Sequence, residues 1–347
     1  MMLIDASSAV ITKARAKYGK RLTQKDYKAL LKCNNVSSVV AYLKSHTKYS
    51  DVLSKINESE VHRGQLETLL KQKVFYDFDS LCRYEMSEGS PFSEFIIRKY
   101  EIEQLTHFLM LLSCNKQEQY IFALPSYFNN HTDIDLYKLS SCKDFDSFID
   151  TLGKGEYQDI LKNFKPDKNG VIDIAGAEDA LNVYSHKELY TAISKRKNKK
   201  QREKLKQLCD HVNDFCNLSR ILRLKKYYSM DAQTIKSHLL PYGSIKDKTL
   251  NDMCEAQDIE QVFEIMSTTR VGKRIKQMSI EKEEQMSFMS RYNMCRRMLY
   301  YSTDPAVVLL SYMYVSEAEL KNIITIIEGV RYNCSVEQIE SLLIFED

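Results

Sequence analysis

Asp214 and Asn217 stand three residues apart in DFCNLSRILRLKK (214–226), with Leu218 directly after them. An ionised carboxylate only accepts hydrogen bonds, an amide both donates and accepts, and a three-residue spacing puts the two on one face of a helix. Glu101 and Gln104 repeat the arrangement before Leu105, and Glu319 and Asn322 repeat it before Ile323. Apolar pairs follow at matching offsets: Phe108 and Leu109, Ile221 and Leu222, Ile326 and Ile327. None of the three pairs has a nucleophile or a base beside it. Three copies argue against a single asymmetric active site and for a repeated helix. Two readings are open for the pairs. One is hydrogen bonding along the helix itself, worth a few tenths of a kcal/mol. The other is a polar lining repeated around a central opening that receives another protein, with Arg223 as a further contact.

Other chemistry is sparse. No Gly-rich phosphate cradle occurs, neither G-x-x-x-x-G-K-[ST] nor G-x-G-x-x-G. No H-E-x-x-H occurs, and His107 and His211 fall in helical apolar patterns, as core-edge or solvated residues rather than ligands. KPDKNGVID (165–173) has Gly170 fourth from Asp167, where a calcium loop needs it sixth, so it reads as a turn. Cys209 and Cys216 read as small buried residues rather than half a metal site. No catalytic, cofactor-binding or metal-binding residue is assigned. The strongest charge feature is KRKNKKQREKLK (195–206), eight basic residues and one acidic. It reads as a solvated helix or hairpin tip. Its alternative is a contact with an anionic surface through Lys195, Arg196, Lys197, Lys199 and Lys200. Without interleaved aromatics, nucleic acid is the weaker partner.

The elements behind these residues are helical. With 10 Gly and 5 Pro in 347 residues, breakers are too rare for a turn-rich fold. Nine cysteines without a C-x-x-C fit a reduced chain, and a net charge of +3 is too small to mark a nucleic-acid binder. MMLIDASSAV does not read as a signal peptide. HFLMLL (107–112) and AVVLLSYMYV (306–315) fall short of the ~18 residues needed to span a bilayer.

The chain repeats itself. Thr23-x-x-Asp26, Thr132-x-x-Asp135 and Thr249-x-x-Asp252 carry a helix N-terminus signature at separations of 109 and 117 residues. A short amphipathic helix follows each: Val36, Val39, Val40, Leu43; then Phe145, Phe148, Ile149, Leu152; then Ile259, Val262, Phe263, Met266. YSDVL (49–53) is echoed by YQDIL (157–161), and TRVGKRI (269–275) has lost the echo. The expectation is an all-α protein of three similar lobes, 1–120, 121–235 and 236–347, in a pseudo-threefold funnel. An open stack is the alternative.

Asp214-x-x-Asn217-Leu218-x-x-Ile221-x-Arg223-x-Lys225, followed by Leu240-Pro241-x-Gly243, resembles the C subunit of bacterial and archaeal V/A-type rotary ATPases, the counterpart of the d subunit of eukaryotic V-type enzymes. Ala14-Arg15 with Leu22, Tyr27, Leu30-Leu31, Leu43, Thr47 and Tyr49 is similar to the family's N-terminal pattern. Glu178-x-x-Leu181-Asn182-x-Tyr184 is similar to the central one. Glu319-x-x-Asn322-Ile323 with Gly329, Ile339 and Leu342 is similar to the C-terminal one. Three features depart from the pattern: Ile324 and Ile11 stand where the family has Arg and Tyr, and the third lobe lacks the Tyr echo. The resemblance implies a non-catalytic rotor subunit, peripheral on the cytoplasmic face of the membrane. It would cap the rotor ring and hold the foot of the central shaft, coupling ATP hydrolysis or synthesis to proton or sodium transport. Its partners would be shaft subunits and ring proteolipids, with membrane association indirect and no cofactor. A helical-repeat scaffold binding an anionic surface through residues 195–206 is the alternative.

Overall fold

The computed structural model describes residues 2–83, 90–275 and 283–344. Every regular element among them is helical, with no strand, in keeping with the scarcity of Gly and Pro. The chain opens with α1 (Met2–Gly19), the short α2 (Gln24–Leu31), α3 (Val36–His46) and α4 (Ser50–Leu53), then the longer α5 (Arg63–Cys82) and α6 (Ser90–Ser113). Short elements return as α7 (Tyr120–Ala123), α8 (Leu136–Ser140), α9 (Phe145–Thr151) and α10 (Glu156–Leu161), followed by α11 (Ile174–Ser194) and α12 (Lys199–Tyr228). The last third holds α13 (Ala232–Ser237), α14 (Asp247–Glu255), α15 (Ile259–Ser267) and α16 (Gly272–Ile275). It closes with α17 (Glu283–Tyr301), α18 (Pro305–Arg331) and α19 (Val336–Leu342). Short helices followed by long ones thus recur in each third of the chain.

The described residues form two compact units. One contains residues 1–90, 198–237 and 243–347; the other contains 91–197 and 238–242. The centre of the first is α18. Asp304 caps its first turn, accepting from the amides of Ala306 and Val307, with Pro305 in the position where a missing N–H costs nothing. From Pro305 to Tyr314 every residue of α18 is buried, and α1, α5 and α17 pack against it. The AVVLLSYMYV run is therefore core, apolar on all sides because helices surround it. No described helix is long and apolar enough to cross a membrane. In the second unit, Phe108, Phe148 and Tyr120 form the aromatic centre, with Phe108 stacked on Phe148 and edge-on to Tyr120.

The helix starts correct the sequence reading in one respect. Thr23 does make a full capping box with Asp26. Thr132 caps nothing, because Asp135 is the cap of α8 and the Thr132 hydroxyl is committed to Glu101. Thr249 lies inside α14, whose N-cap is Lys246. The repeated cap sits one helix later. Asn35, Asp144 and Asp258 all adopt extended backbone and accept from the amide three residues on, Ser38, Ser147 and Gln261, at 2.8 Å each. These caps start the three amphipathic helices that the periodicity located. The signal was in the sequence as an Asx residue directly before each apolar stripe.

Candidate functional site

The three acid–amide pairs lie on α6, α12 and α18, and all six residues are buried: Glu101, Gln104, Asp214, Asn217, Glu319 and Asn322 are 0–7% exposed. Burying a carboxylate is costly unless donors surround it. In each case the donors come from the short-helix set that packs against the long helix.

Glu319 of α18 accepts from the Leu22 amide at 2.7 Å and the Tyr49 hydroxyl at 2.9 Å, and pairs with the Lys48 ammonium at 2.7 Å. Its partner Asn322 holds the backbone of Ile344 through both its N–H and its carbonyl. The Asn322 amide donates to the Ile344 carbonyl at 2.6 Å and its oxygen accepts from the Ile344 N–H at 2.7 Å. The same Nδ2 also donates to Tyr27. Burial, then the charge of Glu319, pushes the phenol pKa of Tyr49 well above its ordinary value, so Tyr49 stays a donor.

Glu101 of α6 is held the same way in the other unit. The Thr132 hydroxyl donates to it at 2.6 Å and the Tyr157 hydroxyl donates to its other oxygen. Gln104 accepts from Tyr120 at 3.0 Å. Tyr157 in turn meets the ring of Tyr184 edge-on, at 5.9 Å. Tyr49 and Tyr157 are the first residues of YSDVL and YQDIL, so the echo marks the phenols that reach the acids.

Asp214 of α12 has no phenol among its recorded donors. The Ser244 amide donates to both its oxygens, at 2.9 and 3.1 Å; the Ser244 hydroxyl and the Ile245 amide at 3.2 Å complete the set. Burial raises the Asp214 pKa, and the bonds from Ser244 and Ile245 work against that rise. Such close approach of backbone needs Gly243. Its φ is +154°, and a Cβ there would lie 2.3 Å from the Asp214 carboxylate.

The three clamps share one order. α6 clamps the short helices that follow it, α12 clamps the turn before α14, and α18, the last long helix, clamps the first short set at residues 22–49. Hydrogen bonding along one helix is thus not the main role of the acids; every recorded acid bond reaches a distant segment.

Residues 10–342 match the family model described as ATP synthase (C/AC39) subunit. The chain belongs to that family. Two relatives give the same indication. The A-type ATP synthase C subunit of Methanosphaera stadtmanae is 22% identical over 261 residues, covering 75% of this chain and 65% of the relative, just under two thirds of its length. The protein of the same name from Pyrococcus horikoshii is 20% identical over 338 residues, covering 95% of this chain and 88% of the relative.

The motifs that carried the family resemblance have structural duties. Leu22, Tyr27 and Tyr49 supply or meet the clamp of α18. Gly243 admits the Ser244 turn. At Gly329 a Cβ would stand 2.4 Å from Ile339, so α18 and α19 meet only over a bare backbone. Two cations of the motifs close helix ends. Lys225 donates to the carbonyls of Cys254 and Ala256 at 2.6 Å, at the end of α14. Arg15 donates to Leu299 and Ser302 at 3.0 and 2.8 Å, at the end of α17. Sequence reasoning did not assign those roles, because a cation that caps a distant helix leaves no local pattern.

The remaining candidates are more exposed. Arg223 is exposed on α12. Lys195 and Lys197 are exposed between α11 and α12, Arg196 is half-buried, and Lys199 and Lys200 are exposed on the first turn of α12, which Asn198 caps. Asp167 spends its carboxylate on the amides of Asn169 and Val171, with Gly170 at φ +78°, which is a tight turn. Among the described residues no group of three or more His, Cys, Asp or Glu is placed to hold a metal ion.

Proposed function

We propose that this chain is a non-catalytic rotor subunit of a V/A-type ATPase or ATP synthase. It sits on the cytoplasmic face of a membrane rotor ring and holds the foot of the central shaft. Torque passes through it between the ATP-handling head and the ring, so that hydrolysis or synthesis is coupled to proton or sodium movement. Membership of the ATP synthase (C/AC39) subunit family supports assembly into such a complex. The observation that carries the finer reading is the order of the three clamps. α6 and α12 each hold part of the short set that follows, and α18 holds the first. That order supports three like lobes in a pseudo-threefold funnel, with shaft subunits in its opening and ring proteolipids at its base.

In this reading the buried pairs act on partners through shape. Glu101, Gln104, Asp214, Asn217, Glu319 and Asn322 keep each lobe rigid, and exposed residues such as Arg223 make direct contact. Rigid lobes suit a part that transmits torque, since a fully satisfied buried polar network resists repacking. The test is purification of the tagged chain from its native membranes in mild detergent. Ring proteolipid and shaft subunits are expected to come with it in stable amounts. A chain recovered alone, or with unrelated soluble proteins, overturns the proposal. A second reading, a scaffold on an anionic surface, is favoured by the exposure of Lys195, Lys197, Lys199 and Lys200. It expects binding to vanish when these and Arg196 are neutralised.

A further inference from the structure

Beside the α18 clamp lies a cavity of about 190 Å³, its wall including Tyr18, Arg21, Lys48, Tyr292, Ser316 and Glu319. A single water needs only about 10–15 Å³ of such space, so there is room for a small molecule. A second cavity of about 320 Å³ borders it, sharing Arg21, Leu22 and Lys48 and adding Lys20, Asp26, His46 and Thr47.

The charges on the first wall do not cancel. Glu319 is saturated by the Leu22 amide, the Tyr49 hydroxyl and Lys48. Lys48 and Glu319 neutralise one another, which leaves Arg21. Its guanidinium lies over the ring of Tyr18, 4.4 Å from the centroid, and pairs with no carboxylate among the described residues. The Tyr18 and Tyr292 hydroxyls are 3.3 Å apart, and either can be the donor. Two phenols sharing one hydrogen bond leave one O–H proton to give away. The wall thus offers a fixed fork of N–H donors and a phenol, with a net charge of +1. That is recognition chemistry for an anion with paired oxygens. A cation meets the uncompensated charge of Arg21 here, and an apolar molecule strands that charge.

We infer that this cavity binds a small oxyanion, a phosphate or a carboxylate. Arg21 grips two of its oxygens, and the Tyr18–Tyr292 pair donates to it. The site is lined by Tyr18 of α1, Arg21 just before α2, Tyr292 of α17, and α18. It is separate in purpose from the clamp: Glu319 and Lys48 build its wall, while Arg21 stacks on Tyr18 and has no carboxylate partner among the described residues.

The experiment is thermal unfolding of the full chain, with isothermal titration calorimetry alongside. Inorganic phosphate and acetate are titrated separately, with sodium chloride holding ionic strength constant. A saturable rise in Tm with matching binding heat is expected for at least one of them. Saturation by phosphate alone assigns a phosphate-type ligand, and by acetate alone a carboxylate. Arg21→Gln should weaken binding at least tenfold. Arg21→Lys, which keeps the charge and loses the fork, should weaken it severalfold and guards against a folding failure. Lys138→Gln, exposed on α8, should bind as the unmodified chain does. The inference is overturned if neither anion gives a saturable signal, if sodium chloride reproduces the effect, or if both Arg21 variants bind like the unmodified chain.

Discussion

Glu319 and Asp214 occupy the same place in two of the repeats, yet they are held by different donors. Glu319 reaches a phenol, an amide and an ammonium, each from its own residue. Asp214 is one methylene shorter and is met by backbone, two successive amides and the hydroxyl between them. The first clamp is built from side chains that come to the acid. The second is built from a turn that presses against it, which only Gly243 allows. What the repeat keeps is an acid facing inward on a long helix; how the donors arrive is free to vary.

The largest effect should come from breaking the first clamp. Glu319→Ala leaves the Lys48 charge, whose side chain is 8% exposed, without its counter-ion. It also strands the Tyr49 hydroxyl and the Leu22 amide. Removing one member of a buried pair costs about 3–5 kcal/mol. Urea unfolding should show a loss of that size, and a loss below about 1 kcal/mol would mean that water replaces the carboxylate at little cost.

Next comes the turn that serves Asp214. Gly243→Ala forces a side chain into a positive-φ position and against a carboxylate oxygen, with an expected cost of about 1–3 kcal/mol. In an Asp214→Ala background the clash is gone and only the backbone strain remains. The two substitutions should therefore be less than additive, which a double-mutant cycle measures. Full additivity would separate Gly243 from the clamp. If clamped lobes hold partners, Asp214→Ala with Asn217→Ala should also weaken shaft binding while helix content by circular dichroism stays nearly intact.

A smaller change compares the two phenols. Tyr49→Phe and Tyr157→Phe keep the ring and delete one donor to a buried acid, worth about 1–2 kcal/mol each. Tyr49→Phe should cost less, because Lys48 and the Leu22 amide still hold Glu319. Tyr157→Phe leaves Glu101 with Thr132 as its recorded donor. Chemical denaturation of each variant ranks them, and the reverse order would show that Lys48 contributes little.

Much of this was written in the sequence as spacing. The three inward acids, the amphipathic stripes and the helical class follow from periodicity, which is local and repeats with the fold. The Tyr echo also showed, though its meaning did not, because a phenol bonded to an acid 270 residues away leaves no pattern in either segment. The Thr-x-x-Asp signature misled at Thr132 and Thr249 for a related reason. A hydroxyl that can cap a helix can equally serve a tertiary partner, and Thr132 serves Glu101. That Arg21 meets no carboxylate among the described residues was invisible, since it is a property of three-dimensional surroundings.

The subtlest test asks whether burial or the turn's amides govern Asp214. Unfolded aspartate titrates near about pH 3.9. Burial puts the folded value higher, so between the two values the folded chain binds more protons than the unfolded one. Stability linked to this group is then full below about pH 3.9 and falls as pH rises through the folded pKa. The slope for one proton cannot exceed about 1.36 kcal/mol per pH unit. Asp214→Asn cannot titrate. Subtracting its stability profile from that of the unmodified chain removes the other carboxylates, including the neighbouring Asp210, which Lys206 pairs at 2.7 Å. The difference should fall from about pH 4 upward and then level. A difference that rises instead would mean that the Ser244 and Ile245 bonds outweigh burial. The carboxylate would then be the form the turn is built to hold, and the two clamps would differ in donors but not in the charge they stabilise.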